Sequence, residues 1–360
     1  MRQVKIESSS GVALLSYTIS TPKANDAETI DPSLPTIILL HPVYVSQHIF
    51  HYQFASPDLR RFNLIAVDMR SHGNTICTTP STYRAAQAAD DVFCFMDALD
   101  LPPCHLFGVS LGACIALEMA VTRPERALSL FLLSPLSLTE PDFVAAGRQE
   151  IYDCWTAAYK NPNNVDEDAA VEAVLGAVQL GFGESSRSSF CNSIVQHALM
   201  CSPHLWSRAQ FDEMHTVSVK FFLDRHPYPV SSLRKITCPV HLVHCSEDVA
   251  YSLEMTEEMC AHMKTAGIDV RLSQIANAPQ IGCATHPEPC VVDYLLYCPR
   301  PEFWSFCSGS TSFSSNGWCP LLATTPQYRP LRRPLRRLSK PSSSSAGSHK
   351  RSRTRKTTTY

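Results

Sequence analysis

Four short, mostly apolar runs punctuate the first 135 residues of this 360-residue chain: "TIILL" (36–40), "NLIAVD" (63–68), "CHLFG" (104–108) and "LSLFLLS" (128–134). Between them lie amphipathic stretches, notably "TYRAAQAADDVFCFMDALD" (82–100) and "LGACIALEMAVTRP" (111–124). A strand covered on one face alternates apolar and polar residues, whereas one covered on both faces reads as a continuous apolar run. Runs of the second kind alternating with helices predict an α/β fold: a mostly parallel sheet with helices on both faces. "VALLSYTIS" (12–20) adds a strand ahead of them.

The rhythm breaks over 136–236, where the pattern is helical at about 140–159, 166–182, 186–201 and 203–222. It resumes with "VHLVHC" (240–245), a helix near 252–266, "DVRLSQI" (269–275) and a last helix near 287–298. The expected organisation is a core of 1–135 and 237–298 with a helical cap, 136–236, inserted into it. Crevices in such sheets open at the carboxyl ends of the strands, so the cap would roof the site. Its aromatics (Phe143, Tyr152, Trp155, Phe182, Trp206 and Phe211) suggest a hydrophobic substrate.

From residue 299 onward the composition changes. There are twelve Lys+Arg against the single acidic Glu302, in a chain whose totals are 31 basic and 33 acidic residues and whose net charge is -2. The preceding 298 residues are therefore acidic. Serine-rich stretches and the near-repeat "RPLRRPLRRL" cannot bury enough surface to offset ordering entropy, so 299–360 reads as a disordered basic tail. Its basic clusters fit two roles, a nuclear-localisation or nucleic-acid contact segment and an inert extension. No apolar run reaches eighteen residues, so no membrane span is expected. The N-terminus lacks the features of a signal peptide, which predicts a cytoplasmic location, or a nuclear one through the tail. Fifteen cysteines without CxxC pairing read as buried thiols, and neither a metal site nor a cofactor fingerprint is present in the pattern.

"GVSLG" (108–112) follows a strand and opens a helix. This is the setting of a G-x-S-x-G nucleophile elbow, in which a sharp turn presents the Ser110 hydroxyl above the sheet and only glycine fits two residues to either side. With "LLHPVY" after "TII", "VDMRSHGNT" after "NLIA" and "HCSED" late in the chain, the elbow resembles the capped branch of the α/β-hydrolase superfamily over about 1–298. In "VDMRSHGNT", Ser71 stands where the branch usually has glycine. The wording around "LRRFNLIAVDMR" looks most like fungal members.

The resemblance implies a serine hydrolase of esters, lactones or thioesters, with carbon–carbon hydrolysis also open. Its oxyanion hole would use the N–H of Leu111 and one from "HPVY". Pro42 has no N–H, so Val43 is the expected donor, with Tyr44 beside it. His41 and His72 are expected to be structural. Asp248, next to Glu247 in "SED", matches the acid that orients the base. The base itself is out of place. The branch sets its histidine seven residues before the Pro-Glu of the final helix, here Pro287-Glu288, and that position holds Gln280 in "NAPQ". Glutamine cannot accept a proton at neutral pH.

Two readings follow. In one, His286 swings to Ser110 as a displaced base, giving a working hydrolase of a small or medium apolar substrate. In the other, the triad is broken and the fold binds ligand with little or no turnover. His215, His226 and His244 are other imidazoles with no motif behind them.

Overall fold

The computed structural model describes residues 2–297 apart from 162, 184–190, 192–193 and 195–206. The basic tail, Trp206 and most of the helix expected at 186–201 lie outside the described residues.

Among the described residues, nine strands form one sheet. They are β1 (Arg2–Ser8), β2 (Gly11–Ser20), β3 (Thr36–Leu40), β4 (Asn63–Val67), β5 (Ile76–Cys77), β6 (Cys104–Val109), β7 (Ala127–Leu133), β8 (Val240–Cys245) and β9 (Val270–Ile275). Their order is β1-β2-β4-β3-β6-β7-β8-β9, with β5 on β2. From β4 to β9 every neighbouring pair is parallel, and the antiparallel pairs are confined to β2 and its partners.

The continuous apolar runs are explained by what covers them. On β3, Ile38 and Leu40 face one core together with Leu106, Leu132 and Leu242, while Ile37 and Leu39 face a second core with Phe107, Leu133 and Val243. Successive side chains point to opposite faces, and both faces are buried. Each fully buried aliphatic side chain of this kind contributes roughly 1.5–3 kcal/mol.

Helices α1 (His51–Ala55), α2 (Ala85–Ala98) and α3 (Leu111–Thr122) belong to the first half of the chain. Between β7 and β8 the chain runs through α4 (Asp142–Ala158), α5 (Glu167–Phe182) and a continuous helical stretch over 208–223. That stretch includes a π-helical segment, Thr216–Lys220. Helices α6 (Leu253–Thr265) and α7 (Pro287–Tyr297) follow, with single helical turns at Val230–Leu233 before β8 and Gly282–Thr285 before α7.

The loop after β4 is held by two buried carboxylates. Asp68 accepts hydrogen bonds from Gln47 N at 2.8 Å, Gln47 Nε2 at 3.0 Å and Asn74 N at 3.0 Å. Arg70 donates twice to Asp91 on α2, Nε to Oδ2 at 2.7 Å and Nη2 to Oδ1 at 3.1 Å, with both side chains fully buried. Gly73 is required here: its φ is 55°, and a Cβ would come within 2.2 Å of the Asp68 carboxylate.

The aromatics of the region between β7 and β8 serve a different purpose from the one expected. Trp155 is buried with Ala173 and Met214, and Tyr152, Tyr159 and Phe211 pack around them. Phe182 joins the core under β7, and Phe143 is exposed. Trp155, Tyr152 and Phe211 thus fill the helices' own packing.

Candidate active site

Of the six non-glycine residues with positive φ among the described residues, five gather at one edge of the sheet, and the sixth, Asp100, lies between α2 and β6. Tyr44 (φ 68°) follows β3, Ser71 (57°) follows β4, Ser110 (51°) follows β6, Ser134 (45°) follows β7 and Asn277 (58°) follows β9. Such backbone persists only where surrounding structure enforces it, and it collects at functional sites. All five lie at the carboxyl ends of strands. At Ser71, the left-handed conformation explains why glycine is usual in that loop.

The elbow is built by close contact. Ser110 has φ 51° and ψ -108°, and its N–H donates to Leu133 O at 3.0 Å. A Cβ on Gly112 would fall 2.0 Å from Leu40 O, and one on Gly108 would fall 2.4 Å from Gly112 O. Helix α3 thus presses on β3 and β6 with no room for a methyl group. Leu111 opens α3, where an N–H has no intrahelical acceptor. Because Leu40 pairs in register with Gly108, "HPVY" lies beside "VS". Val43 and Leu111 are both buried.

His41 is fully engaged in structure. Its Nε2 accepts from Met69 N at 3.0 Å, so Nδ1 carries the proton and donates to Pro42 O at 2.7 Å. His72 packs against it at 5.0 Å between ring centroids, and burial pushes the His72 pKa down to about 3. Neither ring bonds to Ser110.

Gln280 is the side chain at the serine: its Nε2 donates to Ser110 Oγ at 3.4 Å, and both residues are buried. His286 is turned elsewhere. Its Nδ1 lies 2.9 Å from Thr285 Oγ1, and no hydrogen bond joins it to Ser110, Gln280 or Asp248 among the described residues. His215 contacts Gln149 and Tyr152, and His244 is buried in β8.

Asp248 sits on the turn after β8. That turn is laced to the Gln280 loop by Ser246 N to Ile275 O at 3.1 Å, Glu247 N to Ala278 O at 2.8 Å and Asn277 N to Ser246 Oγ at 2.7 Å. Asp248 Oδ1 accepts from the N–H groups of Ala250 (2.9 Å) and Tyr251 (3.1 Å). Its Oδ2 is buried and has no hydrogen-bond partner among the described residues. Burial raises the Asp248 pKa to about 7, opposed by those two N–H groups and the charge of Arg148.

Arg148 belongs to a buried cluster that no motif announced. Its Nε pairs with Glu140 Oε1 at 2.7 Å, its Nη2 donates to Tyr251 OH at 3.1 Å, and its guanidinium lies 3.5 Å from the centre of the Phe222 ring. Arg225 holds the other Glu140 oxygen at 2.6 Å. The Arg148 charge also acts on Tyr44 and Asp248, which lie beyond the ends of β3 and β8. This cluster ties the region between β7 and β8 to both sides of the elbow.

A family model described as alpha/beta hydrolase fold matches residues 35–155, from β3 through the elbow into α4. The chain has the α/β-hydrolase fold. Its relatives include a pimeloyl-[acyl-carrier protein] methyl ester esterase of Aeromonas salmonicida, 31% identical over 112 residues, which are 31% of this chain and 40% of the relative. The mouse sn-1-specific diacylglycerol lipase ABHD11 is 29% identical over 120 residues, 32% of this chain and 38% of the relative. The matched part of the chain spans less than half the length of these curated relatives.

Solved structures match over nearly their whole length. An esterase from the thermophile Thermogutta terrifontis superposes with a TM-score of 0.64 at 16% identity, covering 82% of this chain and 98% of that one. The carboxylesterase CesB of Bacillus subtilis gives 0.62 at 16% identity, covering 82% and 90%. At this identity they establish the fold. No helix among the described residues is long and apolar enough to cross a membrane.

Proposed function

We propose that this chain is a slow serine hydrolase of small or medium ester-like substrates (esters, lactones or thioesters), with Ser110 as nucleophile and the N–H groups of Leu111 and Val43 as oxyanion donors. The observation that carries this reading is the elbow itself. Ser110 keeps a left-handed backbone, wedged by Gly108 and Gly112 against β3 and β6. An ordinary strand-to-helix turn needs no such strain. The named relatives, an esterase and a lipase, act on ester bonds.

In this reading, Ser110 Oγ bonds to the substrate carbonyl carbon, the oxyanion forms at the Leu111 and Val43 amides, and the alcohol departs to leave an acyl-serine. Water then releases the acid. With no imidazole at Ser110 Oγ among the described residues, its proton passes to solvent water and water protonates the departing alkoxide. Gln280 steadies the hydroxyl but cannot act as a base, and two preorganised oxyanion donors alone sustain only a small part of a triad's rate. A site missing one triad member retains about 10³–10⁴-fold acceleration over water.

A second reading is favoured by the same Gln280–Ser110 contact: the site binds a carbonyl ligand and does not turn it over. Incubation with p-nitrophenyl butyrate separates the two. The hydrolase reading expects p-nitrophenol release and an acyl adduct on the peptide bearing Ser110, both lost in Ser110→Ala. Saturable binding of a non-hydrolysable ketone analogue, with no release and no adduct, establishes the second reading and removes the first.

A further inference from the structure

A cavity lies along the flank of α3, starting at Ala113 and Cys114 in the helix's first turn. Its volume is about 210 Å³, and Ser110, Gln280 and Asp248 are not among its walls. Leu117, Leu132, Leu136, Phe221, Met259 and Met263 form its apolar lining. It is bounded by α3 on one side, α6 on another and the segment leaving the 208–223 helical stretch on a third.

Apart from the exposed His226, the charged and polar side chains at its rim are already engaged with the protein. Arg84 pairs with Asp224, and Arg225 pairs with Glu140. Tyr228 OH donates to Glu118, and His262 Nε2 lies 2.7 Å from Tyr228 O. The one thiol in the wall, Cys114, is pushed up to about 11 by burial and stays neutral. A charged ligand would find its possible counter-charges in use, and a strongly polar one would lose its water without replacement.

We propose that this cavity is a binding site for a small uncharged apolar molecule, an aromatic ring or short alkyl group, separate from the Ser110 site. The volume suits the ligand class: an apolar cavity of about 150 Å³ stays dry and takes up benzene. Two methionines in the wall add adaptability, since an unbranched thioether repacks around an irregular guest. The proposal does not depend on the hydrolase reading, because its test measures occupancy and not turnover.

Ethylbenzene is the probe, titrated into the full chain carrying ¹³C-methyl methionine. With about eight heavy atoms, it is expected to bind with a Kd of about 0.1–1 mM. The expected result is a saturable shift of the Met259 and Met263 methyl resonances, the same in wild type and in Ser110→Ala. Leu117→Trp, which fills the cavity from α3, is expected to weaken binding at least ~10-fold. If that variant lacks the wild-type far-UV circular dichroism, Leu136→Phe fills the opposite wall instead. No saturable shift at Met259 and Met263 overturns the proposal. A shift that survives in the filled variant overturns it, and so does one that vanishes in Ser110→Ala, which would place the guest at the elbow.

Discussion

Gln280 Nε2 donates a hydrogen bond to Ser110 Oγ across 170 residues of sequence, at 3.4 Å between two buried side chains. The amide occupies the place from which a base would act, and the loop that carries it is fixed to the acid's turn through Glu247 and Ala278. In the proposed reading, a histidine at 280 would act as base for Ser110, with Asp248 as its acid. Gln280→His is expected to raise the turnover of p-nitrophenyl butyrate by at least ~10²-fold, the usual scale of general-base assistance. Ser110→Ala placed on top of it should abolish the gain. Steady-state kinetics on the three proteins checks this, and an unchanged rate in Gln280→His would show that position 280 is not where the base belongs.

His286 offers the complementary test. It precedes α7, bonds to Thr285, and makes no hydrogen bond to the elbow. His286→Ala is expected to leave ester turnover and its pH profile unchanged. Activity lost in this variant, with folding intact by circular dichroism, would mean that the loop over 281–286 rearranges around a bound substrate to bring the imidazole to Ser110.

How much of this was legible in the sequence depends on how local each signal is. The buried parallel strands were readable because covering both faces of β3, β4, β6, β7 and β8 leaves continuous apolar runs. Strand β1 was not: "RQVKIES" buries only Ile6 fully, as expected of an edge strand with solvent on its outer side. The elbow compresses into five residues and was readable, and the Gln280 position followed from its distance to Pro287. The Arg148–Glu140–Arg225–Tyr251 cluster was invisible, because its members lie up to 111 residues apart and none sits in a motif. The aromatics of 136–236 were ambiguous, because a ring looks the same in sequence whether it lines a crevice or packs under its own helices.

Glycine at 112 is a steric requirement that can be tested alone. A methyl group there meets the backbone carbonyl of Leu40 at 2.0 Å, and backbone cannot rotate away as a side chain would. Gly112→Ala must push α3 off β3, carrying the Leu111 N–H with it. Overpacking of this kind costs about 1–3 kcal/mol and at times more. The expected outcome is a lower urea midpoint together with loss of any acylation at Ser110. By contrast, Gly147→Ala at a half-buried position of α4, where nothing lies within 4 Å of the added atom, should be neutral or stabilising.

Asp248 gives the protein a pH-dependent stability of unusual sign for a carboxylate. Its Oδ2 is buried without a hydrogen-bond partner among the described residues, and burial lifts the pKa from 3.8 to about 7 in the folded state. Between those values the folded protein holds a proton that the unfolded chain releases. Stability from this group is therefore fully present below about pH 4, declines as pH rises, and is gone above about pH 7. The residue is half-buried although its Oδ2 is enclosed, so the span is about 2–4 kcal/mol at most. Asp248→Asn, which stays neutral throughout, should flatten this part of the curve, seen as urea midpoints that no longer fall between pH 4 and pH 7. In Gln280→His the slope should also shrink, because an imidazole N–H would give the ionised carboxylate the partner it lacks and draw its pKa back down. A slope that persists in Asp248→Asn would assign the titration to another group and leave Asp248 ionised in the folded protein.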